Sequence, residues 1–114
     1  MRQATAKDPA VLAELCRDYL VEARSTIIRL REALAANDAG VLRDRAHYLK
    51  GSSMMIGAGV LSQCCATLER MGRDSDLRDA KAMLDQAVVA LEAVEGELTK
   101  AIGPAVLPAE GSAA

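Results

Sequence analysis

The chain has 114 residues, which is enough for one domain with a buried core but too few for a second catalytic unit. Its 14 basic and 16 acidic side chains give a net charge of −2, so it lacks the basic surplus that binds nucleic acid phosphates. No signal-like segment opens the chain, and no apolar run approaches the roughly 20 residues of a membrane span. We therefore expect a cytoplasmic protein that binds neither nucleic acid nor membranes.

The first helix is predicted from Pro9 to about residue 36, with Asp8 as its N-cap. The composition favours helices, because Phe and Trp are absent and no proline occurs between Pro9 and Pro104. Apolar residues recur at intervals of three and four, which is typical of one buried helical face. This stripe consists of Leu12, Leu15, Tyr19, Ala23, Ile27, Leu30 and Leu34.

The second helix is predicted after Asn37, with Asp38 as its N-cap, and it ends at the turn formed by Gly57 and Gly59. Its buried stripe is predicted to contain Leu42, Ala46, Leu49, Ser53 and Ile56.

A third helix follows from about Leu61 to Gly72, and a fourth begins after Asp76, a plausible N-cap, where leucines repeat every seven residues. Helices joined by short turns pack most simply as an antiparallel bundle. The predicted fold is therefore all-α, an up-and-down four-helix bundle with an additional N-terminal helical segment. It spans residues 8–102, between an N-terminal extension of residues 1–7 and a flexible C-terminal tail of residues 103–114.

The only histidine of the chain lies in AHYLKGSS, residues 46–53. At about 100° per residue, His47 falls roughly 140° from the centre of its helix's buried stripe, which predicts that its ring is exposed. Arg43, Lys50, Gly51 and Met54 share that face, because they lie three, four or seven residues away. An exposed histidine and two basic residues are most often an ordinary solvated surface.

Gly51 favours a functional patch over an ordinary surface. A glycine inside a helix costs about 1 kcal/mol relative to alanine, and no cap or bend requires one at this position. The missing side chain opens a gap through which a bulky group can approach His47, and Lys50 suits an anion in that gap. These features point to an imidazole that meets a phosphate carried by a docking partner.

These residues resemble the histidine-containing phosphotransfer (HPt) domains. The similarity rests on AHYLKGSS, on IGA at residues 56–58, on LSQCCATLERMGR at residues 61–73 and on the preceding LREALAANDAGVLRDR. It extends over about residues 8–100. One departure lies in the core, where Tyr19 and aliphatic residues stand in place of the Phe of many family members.

The resemblance implies a phosphorelay intermediate that uses His47, with Lys50 and Gly51 at the site. His47 accepts a phosphoryl group from an aspartyl phosphate on a receiver domain and passes it to another receiver domain. The implied partners are the receiver domains of response regulators and hybrid histidine kinases, which supply the Mg²⁺. The chain then needs no cofactor of its own, acts as a monomer and has no autokinase activity. Arg43 either adds to the positive field or is a solvated surface residue.

Glu69 admits two interpretations. It lies 22 residues after His47, and if its helix turns that flank toward the histidine, its carboxylate can accept a hydrogen bond from Nδ1 and leave Nε2 free to react. Alternatively, Glu69 forms a surface ion pair with Arg73, four residues along the same helix. Similar family members place Glu or Gln at the first position and often a basic residue at the second.

Three other classes are weighed against this function. The dimerisation domain of a histidine kinase normally has an acidic residue after its histidine, whereas Tyr48 follows here, and no glycine-rich nucleotide-binding segment is present. A metal site built from His47, Cys16, Cys64 and Cys65 lacks paired ligands one helical turn apart. The strongest alternative is an adaptor bundle that binds receiver domains without transferring phosphate.

Overall fold

The computed structural model describes residues 8–103, and within that range it contains four α-helices and no β-strand. They are α1 (Pro9–Ala35), α2 (Ala39–Met55), α3 (Gly59–Arg73) and α4 (Ala80–Ile102). The predicted all-α class is confirmed. The additional N-terminal helical segment is not separate, because α1 is continuous from Pro9 onward. The predicted extension of residues 1–7, and residues 104–114 of the predicted tail, lie outside the described residues.

The four helices form a ring in which each one packs against two others. α1 packs beside α2 and α4, and α3 packs beside the same two helices, whereas within residues 8–103 the backbones of the diagonal pairs stay farther apart. The connections between consecutive helices span only residues 36–38, 56–58 and 74–79, so neighbours in sequence run antiparallel. The up-and-down bundle is therefore the observed topology. No helix of this part of the chain is both long and apolar enough to cross a bilayer.

The predicted capping residues begin the first two helices. The Asp8 carboxylate accepts a hydrogen bond from the backbone N–H of Ala10 at 2.9 Å, and Asp38 accepts one from Val41 at 3.1 Å. Each bond satisfies a backbone donor that the first turn of a helix leaves without an intrahelical partner. After α2, Gly57 adopts a φ of 82°, a left-handed conformation that a glycine tolerates best, and the chain turns back into α3.

The start of α4 differs from the prediction. The helix begins at Ala80 rather than directly after Asp76, because Asp76 forms a local turn instead of a cap. Its carboxylate accepts hydrogen bonds from the Arg78 guanidinium at 2.7 and 2.9 Å, and this partner lowers the pKa of Asp76 to about 2. The arginine two residues later thus competes with the backbone of the helix for the carboxylate.

The core is aliphatic and contains one buried polar pair. Leucines from all four helices are almost completely inaccessible, among them Leu20, Leu30, Leu42, Leu49, Leu61, Leu68 and Leu84. The hydroxyl groups of Tyr19 on α1 and Ser53 on α2 share a hydrogen bond of 2.8 Å inside this core. A buried hydroxyl needs a hydrogen-bond partner, and sliding α1 along α2 would break this bond. The pair therefore favours one register of the two helices.

Gly72 marks the closest approach of α2 and α3. A Cβ atom at this position would lie 2.7 Å from the Ala39 carbonyl oxygen and 2.8 Å from the Arg43 backbone nitrogen. No real Cβ atom fits at those distances from backbone. The sequence pattern was interpreted as a helix that ends at Gly72, but α3 continues to Arg73 and the glycine serves interhelical contact instead.

We predict that Gly72→Ala lowers the free energy of unfolding by about 1–3 kcal/mol, because the added methyl group forces α2 and α3 apart. Gly96→Ala in α4 is the matched control, since a Cβ there meets no atom within 4 Å. The control should gain up to about 1 kcal/mol from helix propensity. Urea unfolding followed by circular dichroism measures both values. If Gly72→Ala were stabilised as much as Gly96→Ala, the close approach of α2 and α3 at Gly72 would be contradicted.

Candidate functional site

His47 lies on the outer face of α2. Its side chain is 67% exposed, whereas the residue before it, Ala46, is completely buried. The stripe of Leu42, Ala46, Leu49 and Ser53 turns toward the core, and the helical repeat therefore carries the imidazole toward solvent. The exposure predicted from the pattern is what the structure shows.

Glu69 of α3 joins His47 and Lys50 of α2 through its two carboxylate oxygens. Oε2 lies 2.8 Å from His47 Nδ1, and Oε1 lies 2.6 Å from Lys50 Nζ. The Glu69 side chain is only 16% exposed, so the exposed His47 ring contacts a largely buried carboxylate. The structure thus brings together three of the predicted site residues across two antiparallel helices.

The charge of Glu69 determines which nitrogen of His47 is free. The hydrogen bond from the Lys50 ammonium, followed by that from the His47 ring, lowers the pKa of Glu69 against the opposing effect of burial. The ionised carboxylate can only accept hydrogen bonds, and so Nδ1 must carry the proton. In the neutral ring this leaves Nε2 with an unshared electron pair.

Lys50 and Gly51 complete the surface one helical turn beyond the histidine. Lys50 is partly buried at 28% exposure, and its ammonium has two hydrogen-bond donors beyond the one directed at Glu69. Gly51 is exposed, and a Cβ atom built on it meets nothing within 4 Å. At Gly51 the surface beside His47 therefore lacks the side chain that most helices would carry there.

Within residues 8–103, neither Arg43 nor Arg73 forms a hydrogen bond with His47 or an ion pair with Glu69. Arg43 Nε pairs with the neighbouring Asp44 at 3.1 Å, and both side chains are largely exposed. Arg73 is the last residue of α3 and forms no ion pair with Glu69 within residues 8–103. Of the two interpretations of Glu69, the contact with His47 is therefore the one that is observed.

Exposed apolar side chains accompany the histidine along α2. Tyr48 is 50% exposed, Met54 64% and Met55 91%. The helical projection predicts Met54 on the histidine face but does not include Tyr48 and Met55. Their signal was present in the sequence, because both are apolar residues off the buried stripe of their helix.

The three cysteines belong to the buried core. Cys16, Cys64 and Cys65 are buried free thiols, and burial raises the pKa of Cys65 to about 12. A thiol in that state is a poor metal ligand because binding requires the thiolate. Within the described part of the chain, no group of three His, Cys, Asp or Glu side chains is placed to hold a metal ion.

Comparison with known proteins identifies a family and one relative. The family model described as "Hpt domain" matches residues 14–101. The chain is 30% identical over 82 residues to "Multistep phosphorelay regulator 1" of Schizosaccharomyces pombe. That alignment covers 72% of this chain but only 28% of the length of the yeast protein. No solved structure matches the chain significantly.

The lowered pKa of Glu69 predicts a pH-dependent contribution to stability. Because the folded state holds this carboxylate ionised, the stabilisation is present above the ordinary glutamate value of 4.5 and is lost as the pH falls through the lowered value. The difference in unfolding free energy between the wild type and Glu69→Gln should therefore shrink from about pH 5.5 to pH 3.

Urea unfolding at each pH measures this difference. Glu92→Gln controls for the loss of a carboxylate, since Glu92 is exposed on α4 and forms no ion pair within residues 8–103. A wild-type advantage over Glu69→Gln that stayed constant across the range would show that the charge of Glu69 contributes nothing to folding.

Proposed function

The chain belongs to the Hpt domain family, and we propose that it is a phosphorelay intermediate which shuttles a phosphoryl group between receiver domains on His47. Family membership and a relative named as a phosphorelay regulator support phosphotransfer in a phosphorelay as its general role. The observation that carries the proposal is the exposed His47 ring, whose Nδ1 lies 2.8 Å from the ionised Glu69 carboxylate.

The proposed reaction needs only one nucleophilic atom from this chain. Nε2 of His47 attacks the phosphorus of a receiver's aspartyl phosphate, an N–P bond forms, and the P–O bond to the aspartate breaks. The aspartate leaves as a free carboxylate, and the Nδ1 proton stays on the ring against Glu69. Onward transfer reverses these steps with a second receiver's aspartate. Phosphoryl transfer through a loose transition state depends chiefly on positioning and charge, which Glu69 and Lys50 provide.

Lys50 and Gly51 act on the incoming phosphate and on its carrier. One ammonium donor of Lys50 is engaged by Glu69, and the other two are free for phosphoryl oxygens. Gly51 leaves the space through which the loops of the receiver reach Nε2. Arg43 and Arg73 lie outside this contact network, and we propose only that they contribute to the positive field that attracts an acidic receiver pocket.

The remaining requirements fall on the partners. We propose that Mg²⁺ is held by the receiver domain, that this chain contributes no cofactor and no autokinase activity, and that it acts as a monomer. Its partners are the receivers of response regulators and hybrid histidine kinases. The three free thiols suit the reducing conditions of the cytoplasm, where we place the reaction.

His47→Gln should abolish the uptake of phosphate from a labelled phosphoreceiver. Its free energy of unfolding should change by less than about 0.5 kcal/mol, because the exposed ring covers little core. In the wild type the label should be acid-labile and base-stable, as expected for a phosphoramidate. Label on the His47→Gln variant would assign the acceptor elsewhere. A wild-type chain that binds the phosphoreceiver but acquires no label would instead favour the adaptor function.

Gly51→Gln should slow transfer at least about tenfold by obstructing the approach of the receiver, while its stability rises by up to about 1 kcal/mol. Gly96→Gln is the matched control, because Gly96 is also an exposed helical glycine with open space around it. The control should gain similar stability and transfer at the normal rate. If both variants transfer as fast as the wild type, the open surface at Gly51 has no part in docking.

A further inference from the structure

A second surface, away from His47, is formed where α4 passes the α2–α3 turn. It is a groove of about 750 Å³. One wall is the turn from Ile56 to Val60, and the other is the face of α4 between Asp85 and Leu98. None of the residues that line the groove belongs to the His47, Lys50, Gly51 and Glu69 cluster. We call this surface the α4 groove.

The α4 groove exists because the helices differ in length. α4 has 23 residues and α3 has 15, so α4 extends about 12 Å farther at a rise of 1.5 Å per residue. Val94 and Leu98 in its second half are therefore only partly covered by the core. Val60 and Val89 are 71% and 64% exposed at the edges of the groove. Within residues 8–103, an apolar channel therefore remains between the α2–α3 turn and α4.

Acidic side chains stand at the two ends of this channel. Asp85 and Glu97 both line it, and their separation of twelve residues on α4 corresponds to about 18 Å. Glu97 forms no ion pair within residues 8–103, and Asp85 has only an exposed Lys81 at 3.5 Å, which is worth little. The surface is thus apolar along its length and negative at each end.

This pattern fits a helix better than a small molecule or an extended peptide. A small-molecule site has polar groups that converge on one ligand, whereas Asp85 and Glu97 are separated by about 18 Å along the axis of α4. An extended peptide would leave its backbone N–H and C=O groups unpaired against valine and alanine side chains, and helices offer no free strand edge to receive them. A helix satisfies its own backbone and presents only side chains.

We propose that the α4 groove binds an amphipathic helix of a partner protein, with aliphatic side chains packed between Val60 and Val89 and a basic residue at each end paired with Asp85 and Glu97. The proposal goes beyond phosphotransfer and does not depend on it. The groove and the His47 cluster share no residues, so the proposed helix and a receiver contact different side chains of the domain.

The probe is a capped, alanine-based helical peptide of about 18 residues with a leucine stripe and a lysine near each end. It is titrated into the 114-residue chain and followed by backbone NMR. Resonances of the α2–α3 turn and of α4 should shift, while those of His47 and Lys50 should not. Val89→Asp should weaken binding at least about tenfold. Ile28→Asp, at a 57% exposed site on α1, is the matched control and should bind normally.

Charge reversal tests the ends of the groove. Glu97→Lys should weaken binding several-fold, and a peptide with glutamate in place of the lysine at one end should restore it only when that end faces position 97. Val60→Asp provides a second apolar variant if Val89→Asp fails to fold. Peptide binding should leave phosphate uptake by His47 unchanged, so the two proposals succeed or fail separately.

Three results would overturn the proposal. The first is equal peptide affinity of the wild type, Val89→Asp and Val60→Asp. The second is a concentration-dependent dimer of the free protein that Val89→Asp abolishes, which would make a second copy the occupant. The third is a shift of the groove resonances in a Leu107→Asp variant without peptide, which would show that the chain's own C-terminal residues fill the groove.

Discussion

The approach of α2 to α3 at Gly72 is the constraint on which the site depends. With hydrogen in place of a side chain, the α3 backbone reaches the Ala39 carbonyl and the backbone of Arg43. One turn farther along the antiparallel pair, the same register sets Glu69 against His47. A wider interhelical distance would move the carboxylate out of hydrogen-bond range of a ring that has little else to hold it.

The two faces of α2 differ: one packs into the core, and the other carries His47. The core face of α2 is aliphatic apart from Ser53, whose hydroxyl bonds to Tyr19, and the outer face carries His47, the proposed nucleophile. The site residues of α2 therefore take the place of few core side chains, and the helix backbone holds the His47 ring in position. Glu69 is the link between the two, because it is covered enough to be held in place and charged enough to orient the imidazole.

Local chemistry made part of this structure predictable. The caps at Asp8 and Asp38 and the stripe through Leu42, Ala46 and Leu49 depend on residues close in sequence, and the exposure of His47 follows from that stripe. The choice between His47 and Arg73 as the partner of Glu69 could not be made, because it depends on how α3 rotates against α2. Gly72 permits the close approach of the two helices, but in the sequence a glycine at an interhelical contact looks the same as one that ends a helix.

The α4 groove illustrates a property that no local pattern contains. Ala90, Val94 and Leu98 fall on the helical repeat of α4 like core residues, whereas Val89 lies on its outward side. The shorter length of α3 leaves the second half of α4 partly uncovered. The proposed phosphoryl transfer requires only a nucleophile, an orienting carboxylate and a neighbouring ammonium, so one face of two helices is enough for that chemistry. The unequal helices leave a separate face, which is the one we propose for a second partner.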